Sequence, residues 1–134
     1  MRPWSRSKWG MRYVLWAAAG LISLGADVVT KATPHALVIN NYAHTPILLI
    51  ILAGAFLCLL ARASSLLVAM GAGLMFGALC GNAGQLLLFG YASDWLPVGG
   101  WLTNVADIAG AVGFICCCTG FARSAIQRRN PLAG

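Results

Sequence analysis

The sequence predicts an all-α integral membrane protein with four transmembrane helices, both termini cytoplasmic and a reduced extracytoplasmic connection. Three observations lead there. The apolar fraction is 60% and the charged fraction 9%, against about 45–50% and about 25% in soluble domains. The apolar residues fall into long runs separated by short polar breaks. Of nine Lys and Arg residues, eight flank those runs: Arg2, Arg6, Lys8 and Arg12 before the first, Arg62 between two, and Arg123, Arg128 and Arg129 after the last. That distribution marks a cytoplasmic face. The net charge of +6 is thereby accounted for by membrane orientation, and nucleic acid is not an expected partner.

The 134 residues suit a single membrane domain, residues 1–134. Residues 1–12 are basic and carry Trp4 and Trp9, which fits an interfacial anchor. The first helix is expected over about 13–31. A basic start before a short apolar run imitates a secretory signal peptide, but no small-x-small cleavage site leading into a polar domain follows, so the run reads as a retained helix. Asp27 and Lys31 stand four residues apart near its far end and share a face. Residues 32–45 contain Pro34, His35, Asn40, Asn41 and His44 and form a short extracytoplasmic connection, with 36–39 a candidate for extended backbone. The second helix is expected over 45–61, with Arg62 at its cytoplasmic end.

The third helix is expected over 64–87. Gly73, Gly77 and Gly81 recur every four residues along it and make a smooth stripe for close approach of another helix. Residues 89–100 hold the breakers Gly90, Pro97, Gly99 and Gly100, so they form a second outer connection. Tyr91, Trp95 and Trp101 suit the membrane–water interface. The fourth helix, 102–121, ends in a basic tail. Cys58, Cys80, Cys116, Cys117 and Cys118 all fall inside apolar runs without CxxC spacing and read as packing residues. His35 and His44 read as solvated loop residues, and no metal site is expected.

All three acidic residues, Asp27, Asp94 and Asp107, thus gather with Lys31 at the extracytoplasmic end. Carboxylates at the edge of hydrocarbon are costly and are functional candidates by default. Asn104 and Asp107 share one face near the start of the fourth helix, where the helix dipole also favours a carboxylate. A plain capping role for Asp107 and an ordinary loop role for Asp94 are the competing readings. Asn82 and Gln85 lie near the end of the third helix, where an amide either serves the site or bonds a neighbouring backbone. Without a Ser–His, Cys–His or metal set, two carboxylates suggest a dyad that shares a proton and activates water.

Four short motifs add a family resemblance. Asp27-Val28-Val29-Thr30-Lys31, Gly81-Asn82, Gly90-Tyr91-Ala92-Ser93-Asp94 and Asn104-Val105-Ala106-Asp107 match, in order, the motifs of lipoprotein signal peptidase (signal peptidase II), and the chain resembles a shortened, divergent member of that family. The family's Gly-Asn continues after two residues with Asp-Arg, where this chain has Gln85 and Leu86. Its stretch Asn-x-Gly-Ala-Ala-Phe has only a remnant at Asn41-Tyr42-Ala43-His44, and the first outer connection is short for the family's β-cradle.

The resemblance implies a multi-pass aspartic endopeptidase of the bacterial cytoplasmic membrane, monomeric and without metal or organic cofactor. Its substrates would be prolipoproteins carrying diacylglyceryl-cysteine, cut before the modified cysteine. Asp94 and Asp107 would be catalytic, with Asn82, Asn104, Asp27, Lys31 and Gln85 in support. Two alternatives stay open. One is a non-catalytic relative that binds lipoprotein precursors or signal-peptide helices. The other, a small transporter using Asp107 as a proton relay, is disfavoured because the acids cluster at one surface and not at mid-bilayer.

Overall fold

The computed structural model describes residues 6–32, 38–40, 51, 53–55, 57 and 65–129. Three long helices dominate: α1 (Arg6–Ala32), α2 (Leu66–Phe89) and α3 (Val105–Arg129). Gly10–Ala32, Leu66–Phe89 and Val105–Arg129 are each long and apolar enough to cross a membrane. Most of the expected second helix, 45–61, lies outside the described residues, although positions 51, 53–55 and 57 within it are helical. His35, His44 and Cys58 also lie outside them.

The α2 helix is the spine of the bundle. Along one face Gly73 meets the Trp16 backbone, Gly77 meets Gly20 and Ser23, and Gly81 meets the Asp27 side chain. The glycine stripe is therefore an interhelical seam, as its spacing implied. The contacts rise together in both sequences, so α1 and α2 run parallel. On the opposite face Gly71 packs on Gly113 and Val68 on Gly120, while Asn82 bonds Asp107, so α3 runs antiparallel. Val68, Ala72 and Cys117 form the buried centre, with Trp16 and Met75 packed against it.

Local chemistry sets the helix ends. Ser65 caps α2, its Oγ accepting the Val68 N–H at 3.2 Å, and Gly90 closes it in the left-handed region at φ 77°, where a Cβ would be strained. Asn104 caps α3, its Oδ1 accepting the Asp107 N–H at 3.0 Å. Two helices extend well beyond their expected ends. The α1 helix begins at Arg6 instead of about 13, and α3 runs to Arg129 instead of 121. Hydropathy marks where lipid ends, whereas Arg, Lys, Ala and Gln continue a helix into water at little cost. Arg128 and Arg129 also suit the negative end of the α3 dipole.

The chain is mostly helical, as expected, with short extended segments added at the polar end. Four three-residue strands lie there: β1 (Val38–Asn40), β2 (Ala92–Asp94), β3 (Leu96–Val98) and β4 (Trp101–Thr103). The first pairs antiparallel with the second, placing Val38 opposite Asp94 and Ile39 opposite Ser93. The third and fourth form a hairpin whose turn, Gly99-Gly100, has φ of 56° and 87°, the positive values that a tight hairpin turn demands. This hairpin consumes Trp101–Thr103, so the last helix starts at Val105 and not at 102.

Candidate active site at the polar end of the bundle

Asp27 is 1% exposed, deep between α1, α2 and the first turn of α3. A carboxylate can occupy such a place only if donors surround it. Lys31, one turn on, stands 2.8 Å from its Oδ2. The Ala106 N–H, an otherwise unsatisfied donor in the first turn of α3, reaches its Oδ1 at 3.1 Å. The positive end of the α3 dipole thus points at Asp27. Gly81 is required beside it, since a Cβ there would stand 2.5 Å from Oδ2.

From this pair a polar chain crosses the molecule. Lys31 Nζ donates to Asn82 Oδ1 at 2.8 Å, and Asn82 Nδ2 donates to Asp107 Oδ1 at 2.8 Å. The ammonium therefore fixes which end of the Asn82 amide faces α3: the oxygen is taken, so the NH₂ turns to Asp107. Thr103 Oγ1 donates to the other Asp107 oxygen at 3.0 Å. Asn104 then bridges the two candidate acids. Its Nδ2 donates to Asp94 Oδ1 at 2.6 Å while its Oδ1 holds the Asp107 N–H.

Six of the seven residues singled out from sequence, Asp27, Lys31, Asn82, Asn104, Asp94 and Asp107, join one network. The seventh, Gln85, bonds Ser93 on β2, next to Asp94. Asp94 is not a loop residue: it ends β2 and is 5% exposed. Asp107 differs, being exposed, and it borders a cavity of about 400 Å³ lined by Leu57, Met75, Ala78, Leu79, Asn82 and Ala106, among others. Asn104 supplies the cap by accepting the Asp107 N–H, while the Asp107 carboxylate, in the first turn of α3, faces Asn82 and Thr103.

Ser93 and Thr103 were not found by sequence reasoning. Thr103 carried a usable signal, since it immediately precedes the cap residue Asn104. Ser93 carried a weaker one, its place beside Asp94. Among the described residues no group of three or more His, Cys, Asp or Glu could hold a metal ion. No protein-family model matches the chain, and no curated protein matches it significantly.

Proposed function

We propose that the chain is an intramembrane aspartic endopeptidase resembling signal peptidase II, which removes signal peptides from diacylglyceryl-modified prolipoproteins. The observation that carries this reading is Asn104, which bonds the Asp94 carboxylate and the Asp107 backbone N–H and so holds the two residues of a candidate Asp–Asp dyad beside one another at the polar end of an apolar bundle. One carboxylate of such a dyad accepts a proton from the attacking water. The other, protonated, donates to the scissile carbonyl oxygen. The resulting gem-diol collapses as the first acid passes its new proton to the departing amine and the second regains one from a diol hydroxyl, which restores the pair to its starting protonation. The cavity beside Asp107 is apolar along the bundle and polar at its end, the character that an extended signal peptide leaving a helix requires.

Both termini are cytoplasmic in this reading, and the helix expected over 45–61 supplies a fourth span. Supporting this, α1 and α2 run parallel, so the chain between them must return from the polar end to the opposite one. Gly54 lies against Phe76 and Leu79 of α2, and Leu57 is buried, as a returning helix would be. Arg123, Arg128 and Arg129 then share the cytoplasmic end with the basic start of α1. The protein would sit in a bacterial cytoplasmic membrane as a monomer.

A second reading, a non-catalytic binder of lipoprotein precursors, is favoured by the burial of Asp94 and by Gln85 and Leu86 standing where the resembled motif has Asp-Arg. Incubation of the purified protein in lipid nanodiscs with a diacylglyceryl-cysteine precursor separates the two. Cleavage supports the peptidase, and binding without cleavage supports the binder.

A further inference from the structure

The carboxamide of Gln85, near the end of α2, makes a two-point contact with one residue. Its Nε2 donates to Ser93 Oγ at 2.7 Å and its Oε1 accepts the Ser93 N–H at 2.9 Å. Ser93 is itself buried and is the middle residue of β2, with Ile39 of β1 opposite it. In an antiparallel pair, alternate residues turn their N–H groups toward the partner strand and away from it. The Ser93 N–H is one that turns away, so β2 has β1 on one edge and the Gln85 amide on the other. An amide offers one donor and one acceptor side by side, as a neighbouring strand would. The next residue is Asp94, whose side chain is held in turn by Asn104.

We infer that Gln85 is a positioning residue for Asp94: it clamps the free edge of β2 to the end of α2 and so fixes where the Asp94 carboxylate sits relative to Asn104 and Asp107. This rests on the peptidase reading for its catalytic consequence but not for the clamp itself. A neutral amide braces β2 at the position where the resembled motif would carry an Asp. The bracing needs no charge because both Ser93 partners are satisfied by hydrogen bonds alone.

Gln85→Leu removes both bonds at similar size. Gln85→Glu keeps an acceptor for the Ser93 N–H, and the Ser93 hydroxyl can rotate to donate to the second oxygen. Full-length protein in nanodiscs is measured two ways, by hydrogen exchange of the 92–95 amides and by kcat and KM on a diacylglyceryl-cysteine precursor. Gln85→Leu is expected to speed exchange at 92–95 about tenfold, with central α2 amides unchanged. Its kcat is expected to fall roughly 10–100-fold with KM within about twofold, the signature of a misplaced catalytic group. Gln85→Glu is expected to restore both. Should Gln85→Leu fail to fold, Ser93→Ala, which removes the Oγ contact alone, is expected to lower kcat by about threefold to tenfold.

Unchanged exchange in the Leu variant, unchanged kcat despite faster exchange, or no recovery in the Glu variant would each overturn the inference. A wild type that never cleaves, combined with the expected exchange pattern in the three proteins, upholds the clamp and sinks the peptidase reading alone.

Discussion

Replacing Lys31 by Met would leave the Asp27 carboxylate at 1% exposure with its ammonium partner gone. Losing one member of a buried ion pair costs about 3–5 kcal/mol. Lys31→Met is therefore expected to destabilise the protein by about that amount, and Lys31→Met with Asp27→Asn is expected to recover most of it, since the neutral amide no longer demands a cation. Reversible unfolding in mixed micelles measures both, and a double variant as unstable as the single one would contradict the pairing. At this scale much was legible. Asp27 and Lys31 at a spacing of four, and Asn104 three before Asp107, are contacts that one helix turn forces. The partners from elsewhere were not legible: no local pattern says that Ala106 N–H and Asn82 meet a residue on α1.

Between helices, the glycine stripe was readable because a four-residue period persists over Gly73, Gly77 and Gly81. Gly77→Leu would drive a Cβ to 2.8 Å from the Ser23 Cβ and still closer to the Gly20 carbonyl oxygen. Overpacking of this kind costs about 1–3 kcal/mol, and more where backbone must separate. A lower unfolding midpoint in detergent is expected. Gly84→Ala is the control, since a Cβ there meets nothing within 4 Å, and an equal loss in both variants would contradict close packing at the seam. The strands were poorly legible for the opposite reason. Ala92-Ser93-Asp94 has no hydrophobic alternation and is extended because Val38–Asn40, distant in sequence, pairs with it. Positive φ at Gly99 and Gly100 was foreseeable as a turn, but the hairpin's claim on Trp101–Thr103 was not.

For the molecule as a whole, the proposed orientation rests on charge asymmetry, with α1 and α2 parallel. The acids, Lys31 and the β3–β4 hairpin lie at one end, and Arg123, Arg128 and Arg129 lie at the other. Trp101, 80% exposed at the hairpin, suits the headgroup layer. A single cysteine at Val98, in an otherwise cysteine-free chain, is expected to react with an impermeant maleimide from the extracytoplasmic side of intact cells. Labelling from the cytoplasm alone would invert the arrangement. The most direct test of the peptidase reading is cleavage of a diacylglyceryl-cysteine precursor by purified wild type, Asp94→Asn and Asp107→Asn. Asparagine preserves shape and most hydrogen bonds but can neither take nor relay the proton. The wild type is expected to cut before the modified cysteine, and each variant to stay folded while losing roughly 10²–10⁴-fold in rate. Wild-type rates in either variant, or a wild type that binds the precursor and leaves it whole, would contradict an Asp94–Asp107 dyad.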